Sequence, residues 1–96
     1  IDRMIAIIDA DCKGRRVLID DQGNTCAIGA LGLAAGFTET ELRSEMSSYP
    51  MILDYWGLSN EQGWHVVDRN DAYITVKARR KAIISYLETL RQEVSI

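Results

Sequence analysis

His65 has Glu61 four residues before it and Asp68 three residues after it, so the three side chains share a face if the segment is helical. That spacing suits an imidazole oriented by a carboxylate, able to pass a proton. Acid–base work also needs a pocket and a nucleophile or oxyanion donors. No neighbouring motif supplies them, and an ion-pair network on a half-buried helix accounts for the same spacing. Cys26 would stand at the first turn of a helix, where the macrodipole lowers a thiol pKa. Its neighbours Ala27 and Ile28 are apolar, which favours a buried and inert thiol. With no secretory signal in view, Cys12 and Cys26 are expected as two reduced thiols rather than one bridge. The chain has one histidine, so a four-ligand zinc site would need two carboxylates. Gly23, Gly29, Gly32 and Gly36 do not match a phosphate-binding loop. No catalytic residue, metal or cofactor is therefore expected.

Two patterns bear on polyanions. Leu31-Gly-Leu-Ala-Ala-Gly-Phe-Thr38, followed by Glu-Thr-Glu-Leu42, has the glycine-centred corner of a helix-turn-helix, whose second helix would enter a major groove. That second helix carries Glu39, Glu41 and Glu45 against Arg43 alone. From Thr38 to Thr75 there are seven acidic residues and two basic ones. Affinity for phosphates comes chiefly from cations, so this surface reads as a plain helical corner. Lys77, Arg79, Arg80 and Lys81 form the opposite case, a basic cluster that could hold an anion. It has no interleaved aromatics for base stacking, and a solvated helix face, paired with acidic residues such as Asp68 and Asp71, is the simpler reading.

These residues belong to a chain of 96 residues, 47% hydrophobic and 26% charged, with a formal net charge of −3. Such values fit one globular domain, 1–96. The longest apolar run, Cys26 to Phe37, is interrupted by three glycines and falls short of the roughly 18 residues of a membrane span. No basic region followed by an apolar stretch opens the chain, so a cytoplasmic protein is expected.

The elements that must position the candidate residues read as a mostly α fold. It is a compact bundle of about five to six short helices around a buried central one. Ile1, Met4, Ile5 and Ile8 recur at helical spacing before a stop at Gly14. Arg15 to Ile19 is strand-favouring and precedes the turn-rich Asp20 to Asn24. A short extended arm or β-hairpin near residues 15–25 is expected, pairing within the chain or across a homodimer. Thr25 is a suitable N-cap for the central helix and Gly36 a suitable residue beyond its end. That helix has no polar side chain, which predicts full burial. Gly29 and Gly32 each cost about 1 kcal/mol of helix propensity, which predicts close backbone approach.

Thr38-x-x-Glu41 and Ser59-x-x-Gln62 are capping boxes. The first opens a helix running to about Met46, and the second a helix with Trp64 and Val67 inward that ends near Asn70 and Asp71. Between them, Ser48-Tyr49-Pro50 restarts the chain into a helix that stops at Gly57. Thr75 caps a last helix with the stripe Ala82, Ile83, Tyr86, Leu87, Leu90 and Val94.

Cys26-x-Ile-Gly-Ala-Leu-x-x-Ala-Ala-Gly36, Tyr55-x-Gly-Leu-Ser-x-x-Gln62, Val67-x-x-Asn-Asp71 and Arg79-Arg-x-x-Ile-x-x-Tyr-Leu87 follow in that order. The set resembles small uncharacterised proteins of bacteriophages and mobile elements, with a Cys-x-x-Gly-Ala-Leu helix and a later Asn-Asp motif. The likeness covers most of the chain after Gly23. It implies an accessory protein of the host cytoplasm and supplies no activity. Asn70 and Asp71 match its polar motif, and an Asn-Asp pair at a helix end can bond backbone and position the next segment.

Together these readings predict a non-enzymatic module that binds and modulates a host or phage protein, with counter-defence as one such role. Its acidic, aromatic-bearing face would be Glu39, Glu41, Glu45, Tyr49, Asp71 and Tyr73. The alternative is a small-ligand or nucleotide-sequestering protein that uses Lys77 to Lys81.

Overall fold

The fold is a computed structural model that describes residues 1–14 and 16–94, without the side chains of residues 93 and 94. Arg15 at the start of the expected arm, and the Val94 side chain at the end of the expected stripe, lie outside the described residues. Six helices follow in order: α1 (Asp2–Asp11), α2 (Ala27–Ala34), α3 (Glu39–Arg43), α4 (Glu45–Trp56), α5 (Asn60–Ala72) and α6 (Val76–Val94). The mostly helical expectation holds. The radius of gyration is 12.2 Å, close to the roughly 12.5 Å expected of a packed chain this long.

α2 is the hub. It contacts α1, α3, α4 and α5, while α6 closes the bundle against α1 and α5. Its first six residues, Ala27 to Gly32, are buried, as the absence of polar side chains predicts. Full burial ends there: Leu33, in the last turn, is 41% exposed. The glycines explain the close packing. A Cβ on Gly29 would stand 1.9 Å from the Leu18 carbonyl oxygen, and one on Gly32 would stand 2.7 Å from Ile52 Cδ1. The cap differs from expectation by one residue. Cys26, not Thr25, is the N-cap, and its Sγ accepts from the Gly29 amide at 3.5 Å. Thr25 turns its hydroxyl to the Asp11 carbonyl instead, because its backbone pairs with both Cys12 and Ile19.

Those two pairings replace the expected arm or hairpin. Among the described residues there is no strand, only isolated bridges, parallel at Cys12–Thr25 and antiparallel at Ile19–Thr25. The turn-rich residues do form a turn. The Asp20 carboxylate accepts the Gln22 and Asn24 amides, each at 2.9 Å, and Gly23 takes φ +83°. These bonds, the Asn24 amide foremost, hold the Asp20 carboxyl below its ordinary pKa. Pairing stops there because Leu18 and Ile19 are buried in the core and the Leu18 amide goes to the Glu45 carboxylate. A ladder would need those groups.

Both capping boxes form, on Thr38 with Glu41 and on Ser59 with Gln62. The first helix is shorter than expected, ending at Arg43. Ser44 at φ −93°, ψ 66° breaks it, and α4 then runs unbroken from Glu45 with Pro50 inside. The helix starts earlier than the proline suggests because Ser48 is buried, with its hydroxyl donating to the Glu41 carbonyl at the end of α3. Gly57 stops α4 at φ +73°, as expected. Thr75 caps α6 by accepting the Ala78 amide at 3.2 Å, and Ile83, Leu87 and Leu90 are its buried stripe.

Gly29→Ala is expected to cost about 2–3 kcal/mol net of its gain in helix propensity, since the Cβ would meet rigid backbone. The urea midpoint measures this, and a loss under about 0.5 kcal/mol would show that the approach to Leu18 is loose.

Candidate functional site

The site begins with Asn70, on the last full turn of α5 and 1% exposed. Its Oδ1 accepts the Ala27 amide at 3.0 Å and the Cys12 thiol at 3.1 Å. Its Nδ2 donates to the Gly14 carbonyl at 3.2 Å and to Asp71 Oδ1 at 3.1 Å. Two donors face the oxygen and two acceptors face the nitrogen, so the chemistry fixes the amide's orientation. The Asn-Asp pair bonds backbone as the sequence suggests, but it holds the start of α2 and the residues after α1, not the next segment of the chain. Asp71 Oδ1 also accepts the Arg16 amide at 2.8 Å, and Arg16 takes φ +74°, uncommon without glycine.

Above this junction lies a groove of about 440 Å³. Its floor is Cys26, Ala27 and Ile28 at the start of α2, and its lip is Arg16, Val17 and Leu18. One wall is Glu45, Met46, Tyr49 and Pro50 of α4; the other is Trp64, Val67, Asn70 and Asp71 of α5. Met46 is 95% exposed, Trp64 59% and Val17 39%. Large apolar side chains left in water around an apolar recess mark a binding surface more than a solvated one.

The expected partner face is only partly assembled. Glu45, Tyr49 and Asp71 come together in the groove. Glu45 is half-buried and holds the Leu18 amide at 2.6 Å, and burial followed by the nearby Cys26 raises the Tyr49 hydroxyl pKa. Glu39, Glu41 and Tyr73 do not line it. Glu41 closes the α3 capping box through its carboxylate, and Tyr73 is the exposed C-cap of α5. Trp64, expected inward, points outward. The buried stripe of α5 is Gly63, Val66 and Asn70, and a glycine with an asparagine gives no hydrophobic period to read. Met46, expected at the apolar edge of the preceding helix, lies instead in the first turn of α4 and faces water.

The basic cluster is not the solvated face expected. Arg79 is 5% exposed and donates to the carbonyls of Lys13, Gly14, Tyr73 and Ile74. Arg80 donates to those of Asp9, Ala10 and Cys12. Both guanidinia therefore satisfy the ends of α1 and α5, where helix dipoles favour cations. Lys77 and Lys81 stay exposed, so the four residues do not converge on one anion site. His65 is absent from the groove lining. Its Nδ1 lies 3.3 Å from Arg69, its Nε2 lies 3.8 Å from Glu61, and its ring packs against Trp64 and Tyr86. Asp68 is exposed and completes no triad with it.

The thiol in the groove lining, Cys26, is pushed up to about 12, mainly by burial, so it is neutral and a poor nucleophile. Burial likewise raises Cys12 to about 11, against the opposing pull of Arg79 and Arg80. Both cysteines are free. Among the described residues no cluster of three or more His, Cys, Asp or Glu side chains could hold a metal ion, and no helix is long and apolar enough to cross a membrane.

Asn70→Ala is expected to lose roughly 3 kcal/mol, since the Ala27 amide and the Cys12 thiol would stay buried without their partner, while the Gly14 carbonyl keeps Arg79. Exposed Asn60→Ala should stay within about 0.5 kcal/mol, and chemical denaturation compares the two. For the thiols, a raised folded pKa means stability present below about pH 9 and lost as pH rises toward 11 and 12. The native protein should resist iodoacetamide at about pH 8, where roughly a thousandth of Cys12 and a ten-thousandth of Cys26 are ionised, and label fully once unfolded. Its denaturation midpoint should fall above about pH 9, with a shallower slope in a Cys12→Ala, Cys26→Ala double variant.

No family model, curated protein or solved structure matches this chain.

Proposed function

We propose that this protein is a non-enzymatic accessory binder that captures a segment of a partner protein in the groove between α4 and α5. The observation that carries the reading is the outward placement of Met46 and Trp64 on the two walls of an apolar recess. Tryptophan dominates many interfaces because it buries much area with little rotamer loss, and methionine adapts to varied shapes. The recess is largely pre-formed, since Asn70, Glu45 and Asp71 pin its floor and lip through backbone bonds. A pre-formed site loses less entropy on binding. The resemblance to small bacteriophage proteins fits an accessory that acts by covering another protein inside a host cell.

The test is affinity capture from host extract by the wild type and by two groove variants, Met46→Asp and Trp64→Ala. Both side chains are exposed, so thermal midpoints should move little. A captured polypeptide is expected to fall at least about tenfold in both variants. It should fall less than about threefold in a Glu39→Lys, Glu41→Lys variant, whose charges lie outside the lining. Equal capture by the groove variants would remove the groove from the function. The groove's volume also lies within the range of small-ligand sites. A thermal shift with one compound from a nucleotide and apolar-ligand panel, lost in Trp64→Ala, would move the reading to a small ligand.

A further inference from the structure

Resting on the groove reading, we propose that the occupant is a short basic segment of a protein, with one or two large apolar side chains flanked by Lys or Arg. The charge distribution points to this. The elements that line the groove, residues 16–22, 45–56 and 60–72, carry seven acidic residues and two basic ones. One of those two cations is turned away: the Arg69 guanidinium lies 4.6 Å from the Tyr86 ring centre, toward α6. Arg16 is the cation of the lip, facing a lining that includes Glu45 and Asp71.

Arg79 and Arg80 lie outside the lining, bonded to carbonyl oxygens at the ends of α1 and α5; Arg79 shares the Gly14 carbonyl with Asn70 and offsets only part of this charge. A concave apolar surface whose walls carry an excess of one sign of charge focuses potential and draws the opposite sign. Nucleic acid, anionic lipid and acidic peptides are repelled by the same walls. A basic apolar segment satisfies both features together: its anchors fill the recess while its cations meet the carboxylates at the rim.

Size sets the length. About 440 Å³ accommodates a few large side chains, whereas a helix with its side chains is roughly 10–12 Å across and would lie on the groove rather than in it. The recognised unit is therefore a short stretch carrying its anchors within one or two turns or a few extended residues. Charges at the rim act chiefly on encounter rate and salt dependence, and the buried anchor sets the lifetime.

A random dodecapeptide library, selected on the immobilised full chain and counter-selected on Met46→Asp and Trp64→Ala, tests the proposal. Peptides specific to the wild type should carry a large apolar residue with Lys or Arg within three or four positions. Replacing those cations by Gln, or raising the salt severalfold, should weaken the synthetic peptides at least about tenfold. Groove-dependent peptides that are neutral or acidic, or whose affinity ignores salt, would overturn the charge assignment and leave the groove reading standing. A library with no peptide that separates wild type from both variants would overturn the two together. Sedimentation of the wild type beside Trp64→Ala closes the remaining case. A dimer lost in the variant would make a second copy of this chain the occupant and overturn the proposal.

Discussion

The buried carboxamide of Asn70 is the junction on which the other parts of the structure depend. A side chain that polar is buried only when its donors and acceptors are met, and here four bonds meet them. They join α5 to the start of α2 and to the chain leaving α1. The start of α2 is also the floor of the groove, so the bond that orders the core also shapes the groove. Cys26 adds a second tie by capping α2 from the same end. Burial keeps both thiols neutral, and a neutral Cys12 thiol can donate to Asn70, which a thiolate cannot.

Arg79 and Arg80 solve a related problem at the other side of that junction. The end of α1 and the end of α5 leave carbonyl groups without helical partners, and a buried carbonyl without a partner is costly. Two planar guanidinia reach seven carbonyl oxygens between them. A run of four cations in five residues therefore divides by role. Two are internal fasteners, and two lysines face water.

The outward position of Trp64 follows from what surrounds it. α5 buries Gly63, and a Cβ there would stand 2.6 Å from Leu53 Cδ1 and 2.9 Å from the Tyr49 hydroxyl. Close packing of α4 on α5 at Gly63 turns the next residue away from the core. The same packing sets Tyr49 of α4 and Trp64 of α5 in the lining of one groove. A glycine chosen by packing thus produces an exposed tryptophan, and an apolar period drawn through Trp64 and Val67 misses the true stripe by one residue.

The sequence by itself determined the local features whose physics is short-ranged. Both capping boxes, the stop at Gly57, the Thr75 cap, the turn at Asp20 to Asn24 and the notches at Gly29 and Gly32 depend on neighbours a few residues away or on one uniformly apolar helix. Of the candidate site it identified Glu45, Tyr49 and Asp71 as surface chemistry, and it singled out the Asn70–Asp71 pair. Only the tertiary structure decided which residues face one another across long separations. Asn70 finds Cys12 and Ala27, the two arginines find the ends of α1 and α5, Leu18 gives its amide to Glu45 rather than to a ladder, and Met46 and Trp64 line one groove. Each choice rests on a buried polar group needing a partner, or on a missing Cβ admitting a neighbour. Neither leaves a periodic trace in the chain.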